Sequence, residues 1–486
     1  RTSVNLAGAK LLCLDLSNTD LRGVSLRRAN LVNAVLVGAQ LHGTDLSFTR
    51  LSGATFDDLT GAVLQGASLQ ASKLTGASID ARAFEEVDRD LRLIQLQRVS
   101  APGIRLPKFV LDRATLWEIE LRGADLAGIH MRYTNLQGAD LREANLDGAN
   151  IVGADLKHAK LDGASCRGTF AEHVTLDHAS VARVDWTGAK MAKASAVAAI
   201  WEGSVLEGCD LSGAKLQLGK LRGCKLAGVL LLAADLADCE LDDCDFQGAD
   251  LGGASAPRCS AARVDMRGAD LRSVEMVEWG LRDARLNGAN LVGADMSKSD
   301  LRGATVENAT WVSGQERVCA RGCNLDGLDL CGARLTEVQL AGSSMVEAVL
   351  TGCDLAGCDL MGVDFSRAQM DGVSLENARM VEAVLLGASL CDAKLAGANV
   401  KRTLWTQTGR GEAVVAMNAD MPGLDLRELD LSGVDLTGAC LNKCQLARCT
   451  LARAVLTDTL LFNTDIHLAQ GLTMALIAGL RDNNQC

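Results

Sequence analysis

An all-β solenoid, a flat-sided coil that bends once every five residues, is the fold this sequence predicts, and three observations predict it. From Leu91 to Trp311 every fifth residue is apolar without exception, mostly Leu, varied by Met131, Ile151, Cys166, Ala171, Trp186, Phe246 and Val306. The residue two places before each is usually Ala or another small residue. Asp or Asn often stands one place before, and polar residues with a frequent Gly follow. A helix repeats every 3.6 residues and a strand every two, so neither yields a period of five. A backbone that turns once per five residues and points one large and one small side chain inward does.

The unit is clearest in Gly138-Ala139-Asp140-Leu141-Arg142 and Gly288-Ala289-Asn290-Leu291-Val292. The large apolar residue is called the centre below. These motifs resemble the pentapeptide-repeat family, whose consensus is A(D/N)LXX, and the resemblance covers nearly the whole chain. It implies a right-handed quadrilateral parallel β-helix with four pentapeptides per coil. Coils stacked at the inter-strand spacing of about 4.8 Å would give about 24 coils and a rod on the order of 115 Å. Gly after the centre relieves the corner. Each buried Leu centre contributes roughly 1.5–3 kcal/mol relative to exposure.

The elements follow in order. Residues 1–84 form a first repeat segment with a register slip at 56–59, where the step from Phe56 to Leu59 is three. Residues 85–108, opening on an acidic run and carrying Pro102 and Pro107, are expected to be an irregular coil or bend. Residues 109–311 are the long regular segment. Residues 312–324 are a slip or loop, because Trp311 to Leu325 is fourteen. Repeats resume over 325–405, lapse into a polar, Gly-rich loop at 406–415, and return over 416–466. In 467–486, Gly471-Leu472-Thr473 and apolar residues at helical spacing resemble the family's exit helix, expected to cap the last coil and hide its edge. The chain starts at Arg1, in register by Leu6, with no matching cap. Preceding sequence is therefore expected, and the first coil is expected to be covered by a missing domain, another subunit (a homo-oligomer) or a partner.

Composition narrows the class. Four Pro, one Tyr and 49 Gly suit a tightly wound coil. A net charge of −12 gives an acidic surface, with Arg22, Arg122, Arg142 and Arg302 interspersed and no basic stripe, so direct nucleic-acid binding is not expected. No apolar stretch is long enough for a transmembrane segment. Of the 17 Cys, ten (209, 224, 239, 244, 259, 323, 353, 358, 444, 449) fall at the small inward position, where Cys acts as a slightly larger Ala. Pairs such as Cys224/Cys244, twenty apart, stack with parallel Cβ vectors that disfavour a disulfide. Their spacing does not suit zinc. Structural thiols imply a cytoplasmic or other reducing compartment.

No nucleophile–base set, HExxH, P-loop or dinucleotide motif is present, so neither catalysis nor a cofactor is expected. His158 and His178 stack on one wall without a metal-binding pattern. Loops on rigid scaffolds carry recognition, which makes Thr406, Gln407, Thr408, Arg410 and Glu412 candidate partner-binding residues. Met361 and Val381, just after their centres on one wall, and Val346 and Leu386 on an adjacent wall, are candidates for an apolar contact patch. Trp117 is expected to be exposed, and Trp279 falls where a small residue belongs, with its direction open. The functional expectation is a non-catalytic structural or protein-interaction scaffold, an acidic rod binding protein partners. Large chains of this kind occur in the family's range fused to secretion-system accessory domains, so this one is also read as part of a larger secretion-associated or multidomain protein. The alternative, drawn from smaller gyrase-protecting members, is a DNA mimic that binds a type II topoisomerase.

Overall fold

A computed structural model describes residues 4–407 and 413–472. They divide into two compact units, Arg1–Asp245 and Phe246–Cys486. In both units residue i forms a parallel bridge with residue i+20 on four successive walls, as in Asp140↔Lys160, Asn145↔Ser165, Asn150↔Phe170 and Asp155↔Thr175. One coil therefore takes twenty residues and has four sides.

The corner chemistry shows why five residues suffice per side. Ala149 N donates to Leu146 O at 2.9 Å, closing a turn over Asp147 and Gly148. Gly148 has φ +63°, whereas Asp147 keeps a negative φ, which is a type II turn. Such a turn favours Pro at its second residue and Gly at its third. All four Pro of the chain, Pro102, Pro107, Pro257 and Pro422, directly follow a centre. On the flat sides Leu146 N donates to Ser165 O at 2.7 Å and Asn145 N to Ala124 O at 2.8 Å, so each coil pairs with the coils before and after.

The interior is lined by the centres and the small residues, such as Leu141, Leu146, Ala144 and Ala149, all buried. Where the small position holds Thr, Ser or Cys, the side chain often finds an acceptor in the preceding coil, or, as Thr403 Oγ1 does with Val400 O, in its own. Thr134 Oγ1 donates to Leu111 O at 2.9 Å, Ser204 Oγ to Val181 O at 2.6 Å, and Cys209 Sγ to Trp186 O at 2.8 Å. A buried hydroxyl or thiol at that position is thus satisfied without distorting the wall.

In the first unit the slip at 56–59 shortens one coil by two residues, giving Asp45↔Val63 and Thr55↔Lys73. Asp57 compensates, both its carboxylate oxygens lying 2.9 Å from Gly38 N in place of a main-chain acceptor. The second irregularity is α1 (Ala81–Glu85), N-capped by Asp80, which accepts from Arg82 N and Ala83 N and buries Phe84. It lengthens the coil by two, with Lys73 pairing to Gln95. The expected irregular stretch at 85–108 is displaced, because turns and bridges are regular from Asp90 onward. Pro102 and Pro107 are corner residues that the turn favours, not breakers. Leu93 lies exposed at a corner with φ +62°.

In the second unit the slip after Trp311 is an antiparallel hairpin, β1 (Val312–Ser313) with β2 (Glu316–Arg317). It adds four residues, so Asp295 pairs with Cys319. The insertion after Trp405 adds six, with Ser389 paired to Val415. Near the end Thr450 bridges Gln470, so the coil runs past 466, and residues 467–472 form another side rather than the start of the expected helical cap. The remainder of that segment lies outside the described residues. Trp279 points inward and is buried, its Nε1 donating to Ala256 O. The centres one coil before it are Ala256 and Ala261, which leaves room for an indole at a small-residue position.

Candidate functional site

The N–H of the residue after a centre finds no main-chain acceptor in the regular corners, and at many of them the sequence supplies a side-chain acceptor by one of two devices. In the first, Asp or Asn before the centre reaches forward: Asp140 Oδ1 accepts from Arg142 N at 3.2 Å and Asn145 Oδ1 from Asp147 N at 3.1 Å. In the second, Ser precedes the centre and an Asp one coil earlier serves both groups. Asp147 accepts from Arg167 N at 3.0 Å and Ser165 Oγ at 2.5 Å, and Asp326 accepts from Val346 N at 3.0 Å and Ser344 Oγ. The abundant Asp is committed to closing corners, not to acid–base pairs.

Arginines tie the same carboxylates down. Arg142 reaches Asp140 at 2.5 Å, Arg267 reaches Asp265 at 2.7 Å and Arg302 reaches Asp300 at 2.8 Å. Hydrogen bonds from Arg142 hold the Asp140 carboxyl below the usual carboxylate range. Burial pushes Asp112 up, but the bonds from Arg132 outweigh it and leave that carboxyl low as well. The sixteen described Cys are all free thiols. Burial raises the thiols of Cys209, Cys323, Cys353 and Cys358 to about 12. His158 and His178 stack with centroids 5.2 Å apart. Among the described residues no group of three or more His, Cys, Asp or Glu is placed to hold a metal, and no helix is long and apolar enough to cross a membrane.

Of the predicted contact residues, Leu386 is not on the surface. Met361 is exposed and its sulfur lies 3.3 Å from the Arg379 guanidinium. Val346 and Val381 are half-buried, and Leu386 is buried. Thr406 is buried and Gln407 exposed, while Thr408, Arg410 and Glu412 lie outside the described residues. Leu386 is no surface residue because it stands twenty before Thr406, directly below the insertion. Val292 occupies the same place below Val312 of the hairpin and is also buried. An apolar residue after a centre, one coil ahead of a slip, is the sequence signal that marks the foot of an insertion. Trp117, expected in solvent, is half-buried with the Arg98 guanidinium 4.4 Å from its ring centroid.

Each of the two insertions in the second unit also opens the ladder beside it, which sequence reasoning missed. Beyond the hairpin, Asp295 and Asp300 keep their partners Cys319 and Asn324, but Thr305 and Thr310 pair only with the preceding coil. A groove of about 670 Å³ results, lined among others by Thr305, Glu307, Ala309, Asp329, Cys331 and Arg334. Beyond the 406–413 insertion, Asn399 and Leu404 likewise pair only backwards. A groove of about 420 Å³ lies there, between Lys401–Arg402 and Asp425–Leu429.

The sequence profile described as pentapeptide repeats (8 copies) matches residues 2–58, 110–177, 189–228, 239–276, 281–310, 320–404 and 418–446. No curated protein matches the chain. Among solved structures, the chain is similar to QnrB1, a plasmid-mediated fluoroquinolone resistance protein, at 18% identity over 47% of this chain and 92% of that one, with a TM-score of 0.25. It is similar to HetL, a pentapeptide repeat protein involved in heterocyst differentiation regulation from Nostoc sp. strain PCC 7120, at 22% identity over 58% and 92%, TM-score 0.15. Rfr23 from Cyanothece 51142 follows at 21% identity over 24% and 60%, TM-score 0.16.

Proposed function

The chain belongs to the pentapeptide-repeat family, and from that premise we propose that it is a non-catalytic scaffold that binds protein partners through its flat β walls and the slips in its coil. The observation that carries this reading is where the polar groups go. Carboxylates that would form a reactive site are spent, one by one, on corner amides and adjacent arginines. Recognition is assigned to the places where the coil is interrupted. Affinity capture with the full-length gene product, followed by cross-linking to map contacts, tests the reading. Specific partners cross-linked at 303–334 or 398–430 are expected, and the absence of any specific partner overturns it.

Finer features belong to the same proposal: a right-handed coil of about 24 turns, a C-terminal helical cap, and a reducing compartment, which the free thiols support.

The second reading is a DNA mimic that binds a type II topoisomerase, favoured by the net charge of −12. The pairing of Asp140, Asp265, Asp270 and Asp300 with Arg two residues away weakens it, since paired charges cancel beyond about a Debye length. A gyrase supercoiling assay separates the readings, and inhibition at micromolar protein favours the mimic.

A further inference from the structure

We propose that the opening between residues 303–311 and 326–334 is a docking slot for an extended segment of a partner protein, which pairs with the interrupted ladder as an added strand. This rests on the scaffold reading and gives it a recognition chemistry.

One coil earlier the same two walls are closed by five bonds. Leu286, Gly288 and Leu291 donate from their N–H groups to Thr305 O, Glu307 O and Thr310 O at 2.7–2.8 Å, and Thr305 and Thr310 donate back to Ala284 O and Ala289 O at 2.8–2.9 Å. The equivalent bonds from Val306, Asn308 and Trp311 to Asp329, Cys331 and Arg334, and back from Asp329 and Arg334 to Ala304 and Ala309, are all missing. Both lips thus present main-chain donors and acceptors at strand spacing, and unsatisfied edges of this kind recruit strands. A folded surface cannot enter such a slot. An extended chain can, because its own N–H and C=O groups point to both sides.

The lining sets the guest's sequence. Ala309 and Ala333, whose counterparts in closed coils are buried, are half-exposed through the gap, so inward-facing guest side chains must be small. Roughly five residues at about 3.3 Å each follow one wall. The carboxylates of Glu307 and Asp329 stand on opposite lips with no cation within ion-pair distance among the described residues, so an outward Lys or Arg is favoured and phosphate is opposed. The guest is a segment alternating small with polar residues and carrying a basic one.

The experiment uses the full chain. Hydrogen exchange should be at least tenfold faster in segments 303–311 and 326–334 than in 283–291. A library of random linear decapeptides is then panned on the protein. Enriched peptides should show the small/polar alternation, protect both segments from exchange, and bind at least tenfold more weakly when alternate amides are N-methylated. Arg334→Pro deletes a donor that has no partner in the free chain, so it should weaken these peptides tenfold and leave melting unchanged. Asp354→Pro, which deletes the bond to Ala333 O at 3.0 Å, should lower the melting temperature. Slow exchange in the free chain, no enriched peptide, or binding indifferent to both N-methylation and Arg334→Pro overturns the proposal. Peptides that protect other walls instead overturn the slot and leave the scaffold reading standing, whereas gyrase inhibition removes the scaffold reading independently.

Discussion

Two tryptophans bury the same indole in opposite electrostatic circumstances, and replacing each by Phe separates packing from hydrogen bonding. Trp186 is a centre packed against Trp201, with ring centroids 6.3 Å apart, and its Nε1 is buried without a partner. Trp279 stands at a small-residue position, and its Nε1 donates to Ala256 O. Trp→Phe removes the same atoms from both sites. A residual cavity of about 40 Å³ costs about 1 kcal/mol at roughly 24 cal/mol per Å³. At residue 186 the change also deletes an unsatisfied donor worth about 1–3 kcal/mol, so the net effect is neutral to stabilising by about 2 kcal/mol. At residue 279 it also loses a bond worth about 0.5–1.5 kcal/mol, for a total loss of about 2 kcal/mol. The two variants should therefore differ by about 2–4 kcal/mol in urea unfolding followed by far-UV circular dichroism. Equal losses would refute the reasoning, because they would mean that the Trp186 N–H is satisfied in solution.

The inward and outward assignment has its own test: Leu146→Asp, at a buried centre, should cost several kcal/mol, while Arg142→Asp, half-buried on the outer face beside Asp140, should cost under about 1 kcal/mol. Both are read as melting shifts, and equal shifts contradict the assignment. Glu207→Pro places Pro directly after a centre, where no main-chain bond is lost, and should stabilise by about 0.4–1 kcal/mol in urea titration; a loss would argue against type II corners. With iodoacetamide at pH 8, Cys13 and Cys331 should label in the native state, whereas Cys358, pushed up to about 12, should label only on unfolding. Asp140, Asp265 and Asp270 have folded pKa values below the unfolded ones, so their contribution is present above about pH 4 and fades as pH falls through the folded values. Melting temperatures measured from pH 7 to pH 3 should fall in that window, and the fall should shrink in Arg142→Met.

The sequence made most of the fold legible because every rule of this coil is local. Two inward positions, an Asx before the centre and a turn at each corner are satisfied within five residues, so periodicity alone locates Leu146 in the core and Asp140 at a corner. The slips were legible as positions for the same reason, since one missing or added residue breaks the count. What each slip becomes was not. Asp80 and Phe84 make residues 81–85 a capped helix, and Gly314 at φ +60° makes 312–317 a hairpin, while both stretches read only as lapses of the repeat. Pro102 and Pro107 misled because Pro marks a break in most strands but completes the corner here.

The harder part to read was distant from the inserted residues. A hairpin at 312–317 has its largest consequence at 305–310 and 329–334, two walls that obey the repeat perfectly, and the same holds for 399–404 and 425–430 beside the second insertion. A closed ladder requires successive coils to share one pitch at every corner. Extra residues at one corner can be absorbed only by letting neighbouring walls part. In the first unit α1 adds two residues, and Lys73 still pairs with Gln95 while Ser68 and Ser78 pair only with the preceding coil, so the same parting of neighbouring walls accompanies the smaller insertion. The scaffold proposal therefore looks for recognition beside the insertions, on the regular walls whose backbone the insertions have freed.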